Sequence, residues 1–193
     1  MPWDKSFNID DKLREAMEIF WTYGYKATSM QNLVTAIGLN RGSIYDTYGS
    51  KRDLFISALN LYDTQYRKAM FDKFRASNRP IETLRKLCDI KIAEALDDDL
   101  NRGCFLTNTA LELSSHDDVI SEIVSNSQLD IEDFFHELIV KGQAQNEIPD
   151  HIDPVKTSQH MLATFIGFAV LSKSRPEKEL LEGIAEQLMQ CIN

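Results

Sequence analysis

The stretch from Thr28 to Leu54, TSMQNLVTAIGLNRGSIYDTYGSKRDL, constrains the fold more than any other part of this 193-residue chain. It predicts a helix, a turn at Gly38-Leu39-Asn40, a second short helix, and the capped start of a third. Thr28 and Gln31 have the capping-box spacing, in which a hydroxyl and an amide satisfy each other's orphan backbone groups. Leu33, Val34 and Ile37 supply that helix's inner face, Gly38 permits the sharp turn, and Leu39 plugs the angle between the helices. Asn40 caps the short helix, Ile44 anchors it from beneath, and Ser50 with Asp53 caps the next, placing Lys51 at an exposed first turn. The short helix carries Arg41, Ser43, Tyr45, Asp46 and Thr47 and has little apolar surface. A helix that polar cannot sit in a core and must face something polar.

Upstream, Ile9, Leu13, Ala16, Met17 and Phe20 recur at helical spacing and predict a helix from Ile9 to Tyr23, capped by Asn8 and stopped by Gly24. A three-helix unit with a helix-turn-helix at its end presents its second motif helix to the DNA major groove. The stretch from Ile9 to Phe55, with the unbroken run GLNRGSIYDTYGSKRDLF, resembles the DNA-binding signature of the TetR family of bacterial transcription regulators. The resemblance implies an all-α chain: a DNA-binding domain over residues 1–55, joined by a long fourth helix to an effector-binding and dimerisation domain over 56–193. Base edges then fall to Arg41, Ser43 and Asp46, with Gly42 allowing close approach and Arg41 suited to a bidentate contact with guanine. Tyr45, Thr47, Tyr48 and Lys51, with Ser29 and Gln31 from the other side, are the implied backbone contacts. Tyr48 stands where the family usually has Phe, so a core plug is the other reading of it.

A net charge of −9 is unusual for a DNA-binding chain until it is partitioned. Residues 1–56 carry seven basic and seven acidic side chains, so the whole excess of acid lies beyond them. Phosphate neutralisation is therefore modest per subunit, which favours a dimer that doubles the contacts. No apolar run approaches the ~20 residues of a membrane helix, and the first ten residues lack a signal-peptide core, so a cytoplasmic protein is expected. The three cysteines, Cys88, Cys104 and Cys191, form neither a disulfide framework nor a metal motif, and the four histidines are unpaired in spacing. No cofactor, metal or catalytic set is indicated.

The remainder predicts further helices: the fourth continuing to about Ala76, then about Ile81–Leu96, Asn101–Leu113, a long one from a Ser114–Asp117 cap to Gln143, one from Asp153-Pro154, and one opened by Pro176. By family resemblance the last two form a four-helix bundle with a second copy, through Leu162, Ala163, Ile166, Gly167, Ala169, Val170, Ser172, Ile184, Leu188 and Ile192. Two recognition helices then read half-sites about one helical turn (~34 Å) apart. The same resemblance implies a small-molecule cavity. Its candidate lining is Tyr66, Met70, Phe71, Phe74, Cys104, Phe105, Thr107, Asn108, Phe134, Phe135, Met161, Phe165 and Phe168, although aromatic residues at helical spacing are equally ordinary core. Cys104 beside Arg102 carries a second idea, a reactive thiol in a redox sensor or thiol enzyme. A helical interaction module is the third reading. The expectation from the whole is a ligand-responsive, homodimeric regulator, a repressor released from a near-palindromic operator.

Overall fold

A computed structural model of the chain describes residues 8–113 and 117–193. Among them every regular element is a helix, and there are nine: α1 (Ile9–Tyr23), α2 (Met30–Ile37), α3 (Arg41–Tyr48), α4, α5 (Pro80–Asp97), α6 (Phe105–Leu113), α7 (Asp118–Ala144), α8 (Pro154–Ser174) and α9 (Lys178–Gln190). Helix α4 is built of Lys51–Tyr62, a π-helical segment Asp63–Lys68, and Ala69–Arg75.

Local chemistry sets the boundaries. The Asn8 side chain accepts from the Asp10 amide at 2.9 Å and starts α1. Gly24, at φ +80°, ends it. The expected Thr28–Gln31 box is displaced by one residue. Thr28 is buried and donates its hydroxyl to the Gly24 carbonyl at 2.6 Å, so the cap of α2 passes to Ser29, paired reciprocally with Asn32. Asn40 caps α3 by accepting from Ser43 N at 2.8 Å, and Ser50 with Asp53 caps α4. Helix α6 begins at Phe105 rather than near Asn101, because Asn101 (φ +48°) and Gly103 (φ +65°) hold left-handed backbone that no right-handed helix admits. Helix α9 begins after Glu177, two residues beyond the expected Pro176. The predicted Ser114–His116 part of the α7 cap lies outside the described residues. Asp117, the last of that group, caps α7 by accepting from Ile120 N at 3.1 Å.

Two apolar cores hold the helices. The first gathers Met17, Phe20, Leu33, Ile37, Ile44, Leu54 and Phe55 of the N-terminal helices, but it also includes Phe105, Leu106 and Leu113 of α6 and Ile120 and Val124 of α7. The second gathers Phe71, Leu84, Leu87, Phe134, Phe135, Met161 and Leu188. Helix α4 runs from one core into the other.

Candidate nucleic-acid interface and ligand cavity

Helix α3 fully buries one side chain, Ile44, and packs Tyr48 against the edge of the same core. Arg41, Gly42, Tyr45 and Asp46 are exposed, while Ser43, Thr47 and Tyr48 are half-buried. The Arg41 guanidinium lies 3.2 Å from the Tyr45 hydroxyl and 5.5 Å from its ring centroid, so Tyr45 steadies the arginine within the helix. A side chain at Gly42 would come within 3.2 Å of the capping Asn40 oxygen, so this glycine also leaves room for the cap. Ser29 and Gln31 are exposed at the start of α2, with the Ser29 hydroxyl engaged in its cap.

Tyr48 and Lys51, both expected backbone contacts, are tied to α1 and to the segment after it. Tyr48 donates its hydroxyl to the Ile9 carbonyl at 2.9 Å and ties α3 to the start of α1. Burial first, then Asp10 and Glu15, push its phenol up. Lys51 is not the exposed ammonium expected at that turn. It is half-buried, donates to the Tyr25 carbonyl at 2.6 Å and lies 4.2 Å from the Tyr25 ring centroid. An ammonium has three N–H groups, so two remain for other acceptors.

Polar contacts bolt the N-terminal unit to the rest. Glu112 accepts from the Tyr25 and Lys26 amides at 3.0 and 2.7 Å. Trp21 donates to the Gly103 carbonyl at 3.0 Å, under the Arg102 guanidinium 4.1 Å above its ring. Arg52 donates twice to Asp117, at 2.5 and 2.8 Å. Arg52 and the Ile120 amide hold the Asp117 carboxyl down to about 2. A carboxyl held below its unfolded value, about 3.9, stabilises fully above that value and loses its contribution as pH falls through the folded one. Asp117→Asn keeps a capping oxygen but removes the charge. In urea melts it is therefore expected to be less stable than the parent at pH 7, with the difference closing between about pH 4 and pH 2.

A cavity of about 700 Å³ opens between α4, α5, α6, α7 and α8, with Glu18 and Trp21 of α1 in its wall. Of the residues expected there, Tyr66, Met70, Phe71, Cys104, Thr107, Phe165 and Phe168 line it. Phe74, Asn108, Phe134 and Met161 do not. Met161 and Phe134 are interior to the second core, Phe134 edge-on to Phe71 at 4.6 Å, and Phe74 packs against that core from its rim. Asn108 turns its amide to the Arg102 carbonyl at 2.8 Å. Phe105 and Phe135, at 2% and 0% exposure, are likewise core. Tyr62, also in the wall, has its phenol pushed well up by burial and then by Cys104 beside it.

On α8 and α9, Ala163 and Val170 are exposed, and Leu162, Gly167 and Ile184 are half-buried. Leu188 and Ile192 are buried at 4% and 0% exposure, so they belong to the protomer's own core rather than to an outer surface. Ile166, Ala169 and Ser172 line the cavity. A Cβ added at Gly167 or Gly183 would meet nothing within 4 Å.

Against known families, residues 13–58 match the model for bacterial regulatory proteins of the tetR family, and residues 80–188 match the tetracyclin repressor-like C-terminal domain. The chain belongs to the TetR family. This TetR-family chain is 31% identical over 145 residues to the HTH-type transcriptional regulator YezE of Bacillus subtilis, covering 75% of each protein. It is 26% identical over 182 residues to the HTH-type transcriptional repressor ComR of Escherichia coli, covering 94% of this chain and 87% of ComR. Its fold matches that of the regulator CifR, in a cysteine-substituted form complexed with a 26-base-pair operator, with TM-score 0.86, 24% identity and 98% of each chain covered. It is thus a helix-turn-helix transcriptional regulator. No helix among the described residues is long and apolar enough to cross a membrane.

For this TetR-family cavity, sequence reasoning missed Glu18, Trp21, Arg67 and Arg102. Arg67 had a readable signal: it follows Asp63 by four residues in a helix, the spacing of an ion pair. Such pairs are ordinarily solvated. Here both members are buried, within the π-helical segment of α4.

Proposed function

We propose that the chain is a homodimeric repressor, released from a near-palindromic operator when a small molecule fills the cavity. The observation that carries this reading is the cavity wall itself, which takes Glu18 and Trp21 from α1 and Tyr62 to Phe71 from α4, the two helices that also support α3. A ligand that fits one arrangement of these helices better than another shifts the separation of the two recognition helices by its differential affinity. In the DNA-bound form Arg41, with Ser43 and Asp46, reads base edges, and Gly42 lets the helix start approach them. Ser29, Gln31, Tyr45, Thr47 and Lys51 serve the phosphates, while the Tyr48 hydroxyl stays on the Ile9 carbonyl. ComR, a repressor by name, and CifR, held on operator DNA, support this assignment by similarity. The deciding experiment is binding to fragments of the upstream region of the protein's own gene over a salt series. Selective, salt-sensitive binding is expected; equal, salt-independent binding to any DNA would leave only a helical interaction module.

The dimer uses the outer face of α8 and α9, with Ala163, Gly167, Val170 and Ile184 against their copies and Leu162 at the edge. Because the space above Gly167 and Gly183 is open within the protomer, Gly183→Arg is expected to leave the protomer folded and to block only a second chain. Sedimentation should then show a monomer at micromolar concentration, with operator affinity at least about tenfold weaker, since a single half-site remains. A folded dimer with unchanged affinity would place the two-fold elsewhere.

A further inference from the structure

The cavity carries one feature that bears on what it binds. Arg67 lies in its wall at 6% exposure, within the π-helical segment of α4. Its Nε donates to Asp63 at 2.5 Å and its Nη1 to Asp130 on α7. Its Nη2 is the one buried side-chain nitrogen or oxygen among the described residues without a hydrogen-bond partner. Two carboxylates thus already flank the cation, and each is shared with a second cation, Asp63 with Lys68 at 3.8 Å and Asp130 with Arg75 at 2.9 Å. Of the other charges at the wall, Arg102 pairs with Glu18 and Asp98 and Lys91 with Glu94, while Asp97 is exposed to solvent. What remains of the lining is mainly aromatic and aliphatic, chiefly Trp21, Tyr66, Phe71, Ile131, Phe165 and Phe168, with Thr107, Ser127, Gln128 and Ser172 as neutral polar residues among them.

We propose that the effector is an uncharged, mainly apolar molecule with a carbonyl-type oxygen that accepts a hydrogen bond from Arg67 Nη2. The inference rests on the effector-cavity reading above and adds the chemistry of the ligand. An anionic ligand would bring a third negative charge beside Asp63 and Asp130, and a cation would oppose Arg67. A neutral acceptor satisfies the orphan donor and leaves the local charge balance untouched. Aromatic walls supply the rest of the affinity without directional demand. Position adds consequence: the oxygen would engage the helix that starts beside α3, through a guanidinium also held by α7.

Three probes of one shape test this on the full-length protein: benzophenone, its hydrocarbon counterpart diphenylmethane, and the anion diphenylacetate. Equilibrium dialysis should find benzophenone roughly 10- to 100-fold tighter than diphenylmethane, as expected for one charge-assisted hydrogen bond in a buried site. Diphenylacetate should bind no better than the hydrocarbon. Arg67→Lys keeps a cation for Asp63 and Asp130 but removes the planar third nitrogen, and should bring the ketone to within about threefold of diphenylmethane. Should that variant fail to fold, the comparison on the unaltered protein still decides. Equal binding of ketone and hydrocarbon, or preference for the anion, overturns the acceptor role of Arg67 while the cavity stands. No binding of any probe to the folded protein overturns the cavity as an apolar ligand site, and the acceptor role with it. A ketone preference without any change in operator affinity supports the Arg67 contact and overturns instead the effector reading beneath it.

Discussion

Arg41→Ala is expected to remove selective operator binding while leaving the fold intact. Arg41 is exposed at the first position of α3 and bonds to Tyr45 on the same helix, so its loss opens no cavity and disturbs no core packing. A bidentate arginine–guanine pair discriminates by about 1–3 kcal/mol, and a dimer holds two of them. Both together amount to about 2–6 kcal/mol, or roughly 30- to 10⁴-fold in affinity. Most of the loss should appear as selectivity: competition with random DNA separates it from a plain loss of charge, which would lower binding to all sequences alike. Unchanged selectivity in a folded Arg41→Ala dimer would move base reading to Ser43 and Asp46. Tyr45→Phe removes only the hydroxyl partner, and a smaller, non-selective loss is expected of it.

The helix-turn-helix is legible in the sequence because each of its parts is local. Asn40, Ser50 and Asp53 act within four residues of themselves, and a turn glycine needs only its own backbone to be read. The Thr28 cap shows where local reading stops. Thr28 and Ser29 offer equivalent hydroxyls, and the choice depends on which of them the end of α1 buries. The start of α6 departs from expectation for a similar reason: the left-handed backbone at Asn101 and Gly103 accompanies tertiary contacts, with Trp21 bonded to Gly103 and Glu18 to Arg102. In the cavity, composition identifies aromatic residues but does not sort wall from core. Phe71 and Phe134 touch edge-to-face at 4.6 Å, yet only Phe71 lines the space. That distinction depends on how six helices pack, and helical periodicity reports one face at a time. The π-helical segment that carries the buried Asp63 and Arg67 leaves no mark at all in the pattern.

Phe55→Ala is expected to cost a large part of the stability of the N-terminal unit, and to show whether that unit melts alone. Phe55 is fully buried, with ring centroids of Phe20, Tyr25 and Phe105 at 5.0, 5.1 and 5.5 Å. Removing a buried phenylalanine side chain costs about 3–5 kcal/mol, a range that already includes the edge-to-face attraction between the rings. For a chain of this size each kcal/mol moves the melting temperature by about 2–4 °C, so a fall of roughly 6–20 °C is expected. Phe105 is the link to the rest: its ring faces Phe55 on one side and Tyr62, in the cavity wall, at 5.7 Å on another. Because α6 and the start of α7 share this core with α1 to α4, calorimetry should show one transition displaced as a whole. Two transitions, with only the lower one moved, would mean that residues up to 55 fold as an independent unit. The shared aromatic core would then be a docking contact, and a ligand in the cavity would have to act on α3 through helix α4 alone.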